Sequence, residues 1–244
     1  MTDAVRVAMW SGPRNISTAM MRAWENRPDT VVVDEPFYAA YLARTGLDHP
    51  AREQVVASQP TDVDEVVAGL LAPLPAGARV HYAKHMTHHL APGQDLSWAR
   101  GLRNVLLVRD PDEVVASYVK SREACEPQDI GLLQQVDLLD QLEAAGEQPP
   151  VIDAADFLRD PEAHLRWLCD WLGIDFTDRM LAWPAGPRDS DGVWAPHWYD
   201  AVWASTGFAP YRPRQVGLDA HDSDVARACR PAYERLRALR LVLS

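Results

Sequence analysis

Between Met9 and Trp24 the chain reads MWSGPRNISTAMMRAW, which places an arginine, an asparagine and two hydroxyls directly behind a Ser-Gly-Pro turn. An apolar run that enters a glycine turn and leaves it as a helix exposes several backbone N–H groups around one point, and the helix dipole adds partial positive charge there. Such a turn binds anions. Arg14 supplies a planar donor fork, Asn15 lies inside the turn, and Ser17 and Thr18 supply hydroxyls from the first helical turn. The same residues also suit an ordinary capped helix with Arg14 in solvent. The turn departs from the G-x-x-x-x-G-K-[ST] phosphate loop, because it has Gly12 alone and no lysine beside its hydroxyls. That departure disfavours a magnesium-dependent kinase and leaves a variant phosphate cradle, suited to an anion such as a phosphosulfate.

A second group is spread over LLVRDPDEVVASY, residues 106–118. Arg109 ends an apolar run and Ser117 follows eight residues later, two helical turns on. At the carboxyl edge of a parallel sheet Arg109 would meet a ligand; the plainer alternative pairs it with Asp110 or Asp112. A third group stands at the ends of two further apolar runs, Glu35 in VVVDEPF and Lys84-His85 in YAKHMTHH. Lys84 is informative because 24 residues are basic and only Lys84 and Lys120 are lysine. A lysine kept at a strand end in an arginine-rich chain suggests that a compact ammonium is wanted there. His81, His85, His88 and His89 raise the question of zinc, but no HExxH is present and part of the cluster spans a strand end, so no metal is expected.

The elements that must position these groups are legible from hydrophobic runs. Val5–Trp10, 30–37, 79–85, 104–110 and 149–156 read as strands. Helices are expected over Ser17–Asn26, Val63–Leu71 and from Asp110-Pro111 through Tyr118, where aspartate at the N-cap and proline at the first turn are both favoured. Asp160-Pro161 repeats the device before a helix that Gly173 stops. Alternation of strands and helices implies an α/β fold, a mostly parallel sheet with helices on both sides. Residues 184–218, rich in Gly, Pro, Trp and Tyr, are expected to form an irregular flap, and 219–244 a closing helix. In that flap Trp194, Trp198 and Trp203 either line a pocket or anchor the loop. The 244 residues are read as one domain, 47% hydrophobic and able to bury a core.

A formal charge of −11 argues against nucleic acid or an anionic membrane as the partner, so any anion must be met locally. The amino-terminal stretch has an acidic residue and only a short apolar run, and no later segment reaches the roughly 18 apolar residues of a membrane span. A soluble, cytoplasmic protein is expected. Cys125, Cys169 and Cys229 are few, separated and odd in number, which suits reduced thiols.

Taken together, the first two motifs resemble the sulfotransferase family, which transfers sulfuryl groups from 3′-phosphoadenosine 5′-phosphosulfate (PAPS). Pro13-Arg14 and Ser17-Thr18 are similar to that family's 5′-phosphosulfate loop, with Arg in place of the usual Lys. RDPDEVVAS resembles its 3′-phosphate site, which implies that role for Arg109 and Ser117. VIDAADFLRDPEAHLRWLCDWLGI, 151–174, extends the likeness, which covers Val5 to Ile174. The glycine-rich basic loop that many members carry near the carboxyl end has only a weak counterpart in YRPRQVG, through Arg212, Arg214 and Gly217. The resemblance implies a P-loop NTPase-like three-layer sandwich, PAPS as co-substrate without a metal, and a small-molecule hydroxyl or amine as acceptor. It also implies Glu35 as general base, ahead of His85, and Lys84 at the bridging oxygen or sulfuryl group. The cytosolic aryl and steroid enzymes read Lys-x-His, where this chain reads Lys84-His85. A nucleotide or small-molecule kinase and a non-catalytic nucleotide-binding module of the same fold remain the alternatives.

Overall fold

The computed structural model describes residues 4–120, 125–213 and 216–243. Its sheet has five strands, β1 (Val5–Ser11), β2 (Thr30–Asp34), β3 (Val80–Met86), β4 (Arg103–Val108) and β5 (Val151–Asp153), in the order β2-β3-β1-β4-β5. Every neighbouring pair is parallel. Parallel neighbours require crossover connections, and helices fill them. After β1 comes α1 (Ser17–Glu25); α2 (Tyr38–Thr45), α3 (Arg52–Ser58) and α4 (Val63–Leu71) separate β2 from β3; α5 (Pro111–Tyr118) and α6 (Leu132–Ala144) separate β4 from β5. Beyond β5 lie α7 (Ala154–Arg159), α8 (Pro161–Leu172), the one-turn helices α9 (Ala195–Trp198) and α10 (Asp200–Trp203), and α11 (Ala220–Ala238).

Alternation along the strands divides the core into two layers. Val7 and Met9 of β1, with Tyr82 and Leu107, pack under Met20 and Trp24 of α1 and Leu165 and Leu168 of α8. Ala8 and Trp10, with Leu106 and Val108, face Leu138 and Leu142 of α6 and Cys229 and Leu236 of α11. The result is the three-layer α/β sandwich expected, with its sheet wholly parallel. From β1 the chain leads toward β2, and from β4 toward β5 on the opposite side, so the sheet changes direction between β1 and β4. The crevice at that switch, outside the strand ends, is where such sheets take ligands.

Several boundaries differ from expectation for local reasons. The 30–37 run stops at Asp34, since Glu35 turns to a φ of 43° and leaves the strand. The 104–110 run stops at Val108, because the Asp110 carboxylate accepts the Asp112 N–H and caps α5, with Pro111 at its first turn as read. Only Val151–Asp153 of 149–156 is strand, as Asp153 accepts the N–H groups of Ala155 and Asp156 and starts α7. The caps at Asp160 and Gly173 stand as expected, Gly173 in the left-handed region at φ 69°. Helices α2, α3 and α6 were not anticipated. The flap holds two helical turns, and the closing helix ends at Ala238, after which Arg240 bridges to Val151 beside β5. No helix of the described residues is long and apolar enough to cross a membrane.

Candidate active site

The loop between β1 and α1 is held from below by a close backbone approach. A Cβ on Gly12 would stand 2.0 Å from the Ile130 carbonyl oxygen, so only glycine fits there. The facing Gly131 has φ 79°, and its own Cβ would meet the Gly12 Cα at 2.9 Å. Thr87 Oγ1 ties the two segments, donating toward the carbonyls of Gly131 at 2.8 Å and Ser11 at 3.2 Å. Beyond this pinch Arg14 takes a left-handed φ of 55°, a conformation that costs a non-glycine residue about 1–2 kcal/mol. Asn15 steadies the turn, donating from Nδ2 to the Leu107 carbonyl at 3.0 Å and accepting the Ile16 N–H at 2.8 Å. Helix α1 then begins without a side-chain cap, with Ser17 and Thr18 buried in its first turn. Its leading N–H groups are left for another acceptor.

The two arginine motifs, far apart in sequence, meet here. Arg14 Nε donates to Ser117 Oγ at 3.0 Å, and Arg109 Nη1 donates to the Arg14 carbonyl at 2.6 Å. Arg109 does not pair with Asp110 or Asp112. Its Nε and Nη2 both reach Glu113 Oε2, at 3.0 and 2.8 Å, while Asp110 is taken by Arg230. Burial, and then the neighbouring Arg109 charge, lower the Arg14 pKa. Among the described residues no carboxylate pairs with Arg14. Two adjoining guanidiniums, one of them without a counter-charge, favour an anion between them and the open end of α1.

At the ends of β2 and β3 lies a buried ion cluster. Lys84 is registered opposite Asp34 and is 1% exposed. Its Nζ donates to Asp34 Oδ1 at 2.9 Å and Glu35 Oε1 at 2.7 Å, and to the Tyr199 hydroxyl. Burial opposes the Lys84 charge, but Asp34, Glu35 and Tyr199 together hold its pKa well above the ordinary lysine value. Burial pushes the Glu35 carboxyl up; Lys84 pulls the other way and Asp34 adds to the rise. His89 Nε2 lies 3.9 Å from Glu35 Oε2, and burial with its cationic neighbours keeps that imidazole far below its usual pKa and hence neutral. Glu35 is therefore a poised carboxylate with a cation beside it, the combination a general base needs.

His85 is placed elsewhere. Neighbouring residues of a strand point to opposite faces, so Lys84 turns toward the flap and His85 into the opposite core layer. Its ring stacks on Trp10 at 4.0 Å, neither nitrogen has a partner, and burial lowers its pKa to about 3. It does not stand with Glu35 and does not line the cavity that holds Glu35 and Lys84, since Lys-His puts the two residues on opposite faces of β3 where Lys-x-His would put both on one. His81 shares the His85 side of β3, whereas His88 and His89 lie in the turn beyond, against Tyr41. Among the described residues no group of three or more histidine, cysteine or acidic side chains is arranged to hold a metal.

One cavity of about 520 Å³ joins these parts, lined by Arg14, Ser17, Thr18, Arg109 and Ser117 at one end and Glu35 and Lys84 at the other. The flap closes over it with Trp198 and Tyr199. Trp194 is buried behind, against Tyr38, and Trp203 donates to Asp191 at 2.9 Å, so those two anchor the loop. Arg212 is exposed and Arg214 lies outside the described residues. Sequence reasoning missed Asp34, Glu113 and Tyr199. Asp34 had a readable signal, since a buried lysine demands a counter-charge on the adjoining strand end; Tyr199 had none.

Comparison with known proteins fits this geometry. The family model described as a sulfotransferase domain matches residues 5–240. Among solved structures, the sulfotransferase from Alicyclobacillus acidocaldarius superposes with a TM-score of 0.59 at 16% identity, covering 99% of this chain and 98% of that one. The sulfotransferase domain from the curacin biosynthetic pathway gives 0.56 at 16% identity over 93% and 97% of the two chains. Two curated relatives from Arabidopsis thaliana carry the name branched-chain-amino-acid aminotransferase-like protein: number 2 is 34% identical over 93% of this chain and 40% of its own length, and number 1 is 36% identical over 98% and 42%. The chain thus spans about two fifths of those relatives, and their names speak for the longer proteins. The match from the first strand through the last helix shows that this chain belongs to the sulfotransferase domain family.

Proposed function

We propose that the domain transfers a sulfuryl group from PAPS to a hydroxyl or amine of a small molecule. The observation that carries this reading is one cavity with an arginine pair at one end, of which Arg14 lacks a counter-charge, and the Glu35–Lys84 pair at the other. The uncapped start of α1 with Arg14, Ser17 and Thr18 suits the 5′-phosphosulfate, and Arg109 with Ser117 the 3′-phosphate. Glu35 takes the proton of the acceptor as its oxygen or nitrogen attacks sulfur. The bridging S–O bond breaks, the electron pair stays on the departing adenosine 3′,5′-bisphosphate, and Lys84 supplies positive charge near the oxygen that gains it. A cytoplasmic protein acting without a metal is part of the same reading.

The Arg109–Glu113 pair must yield for a 3′-phosphate to be gripped, an exchange of one anion for another at the same fork. Adenosine 3′,5′-bisphosphate is expected to raise the melting temperature while Mg-ATP does not. Arg14→Ala and Arg109→Ala should each weaken bisphosphate binding roughly 10- to 100-fold, the worth of a charge-assisted hydrogen bond. Glu35→Gln should reduce transfer from PAPS by about 10²–10⁴ and leave bisphosphate affinity intact. Selective stabilisation by Mg-ATP would instead favour the kinase reading, and bisphosphate binding without transfer to any acceptor the non-catalytic one.

A further inference from the structure

Tyr199 reaches the ion cluster from the flap, between α9 and α10, and is 3% exposed. Its hydroxyl lies 2.9 and 2.7 Å from the two Asp34 carboxylate oxygens and so donates its single proton to that carboxylate. It accepts from Lys84 Nζ, and from Trp194 Nε1 at 3.3 Å. Asp34 Oδ2 also takes the Gly192 N–H of the flap at 3.1 Å. An ammonium has three protons, and here Asp34, Glu35 and Tyr199 offer three acceptors. Two carboxylates thus compete for one lysine, and the flap satisfies part of one of them.

We propose that Tyr199 is a positioning residue whose hydroxyl occupies Asp34 and thereby keeps Lys84 on Glu35, so that the flap sets the state of the base. The inference rests on the proposed role of Glu35. Without the hydroxyl, Asp34 draws Lys84 more fully and Glu35 loses its cation. Its carboxyl then binds a proton more readily. The groups that bear on Glu35 are Asp34 from β2, Lys84 and, through Lys84 and Asp34, Tyr82 from β3, His89 from the turn after β3, and Tyr199 from the flap. A merely structural tyrosine would act through its ring, which packs with Tyr38 and Trp194.

Carbon-13 titration of the Glu35 carboxyl in the whole chain without ligand, assigned by Glu35→Gln, reads the effect apart from turnover. In Tyr199→Phe, which keeps the ring, the Glu35 midpoint should rise by about half a pH unit or more. Transfer from PAPS should fall roughly 10- to 100-fold in kcat, while the affinity for adenosine 3′,5′-bisphosphate stays within about twofold. Trp203→Phe, which removes the indole donor to Asp191 and bonds to Tyr199 only through its backbone, away from the hydroxyl, carboxylate and ammonium groups of the cluster, should leave the midpoint where it is. Should Tyr199→Phe not fold, Asp34→Asn carries the test with the opposite sign, because Lys84 then belongs to Glu35 alone and the midpoint falls. An unmoved midpoint in folded Tyr199→Phe or in Asp34→Asn, or an equal rise in Trp203→Phe, overturns the proposal. A wild-type chain that transfers no sulfuryl group, yet shows the Tyr199→Phe shift, would sink the proposed function and leave the positioning role standing.

Discussion

Glu35 combines three costs in one residue: a left-handed φ of 43°, burial, and a raised pKa. Backbone strain and an ionised carboxylate in a dry site are kept where they serve chemistry, and removing them stabilises the fold. The linkage has a definite sign. A carboxyl whose folded pKa lies above its unfolded value contributes stability that is full below the unfolded pKa and is lost as pH rises through the folded one. At neutral pH Glu35 is on the losing side. Glu35→Gln is therefore expected to raise stability near pH 7.5 by about 0.5–2 kcal/mol while it cuts transfer by about 10²–10⁴. The gain should shrink to nothing as pH falls into the usual carboxylate range, and melting curves of both proteins across pH 4–8 would reveal it. A variant less stable than wild type at pH 7.5 would show that the Lys84 contact outweighs burial. The position of Glu35 at a strand end was legible in VVVDEPF; the company of its side chain was not, because Lys84 and Tyr199 come from remote parts of the chain.

At the scale of elements, the loop from β1 to α1 shows how a short motif can mark residues that the fold brings together and still leave its support unseen. Arg14 and the hydroxyls were marked by the turn itself, as was the cap that starts α5. What fixes the loop is Gly12 against Ile130–Gly131, a contact made by the segment just before α6, a helix without a sequence signal strong enough to announce it. The same holds for the flap. Its composition marked it as irregular, but its pins, Arg22 to Asp191 and the Gly192 N–H to Asp34, join elements from opposite ends of the chain. Gly12→Ala tests the first support. The added methyl would push into the Ile130 carbonyl and force the loop to move, with an expected loss of about 1–3 kcal/mol in urea unfolding, the usual cost of overpacking. Because Arg14 and the start of α1 move with the loop, bisphosphate affinity should fall by more than tenfold. Unaltered affinity would mean that the anion site does not depend on the pinch.

Over the whole molecule, hydrophobic runs and caps were enough to give the strand sequence and the parallel three-layer plan, since burial on both faces writes a strand as a continuous apolar run. They could not tell which of two adjacent polar residues in YAKHMTHH faces the site, because at a buried strand end both faces are dry. Lys84 found counter-charges and stayed ionised; His85 found none and stays neutral, with a pKa of about 3. That asymmetry gives the molecule an acid limit. A base with a depressed folded pKa contributes stability that is present above its unfolded pKa, near 6.5 for histidine, and is lost as pH falls toward the folded value. His81 and His89 are also held below their usual values by burial, and both add to the slope. Each such histidine fully protonated in the unfolded chain and neutral in the fold contributes about 1.4 kcal/mol of lost stability per pH unit. Unfolding free energies measured by urea from pH 7.5 to pH 5 should therefore fall progressively below about pH 6.5. His85→Phe, which keeps an aromatic ring against Trp10 and removes the titrating nitrogens, should reduce the acid slope by one proton's share whatever it does to stability at pH 7.5. An acid slope identical in the two proteins would require His85 to hold a proton in the folded chain, and the stacked, partnerless ring would then have to open to water.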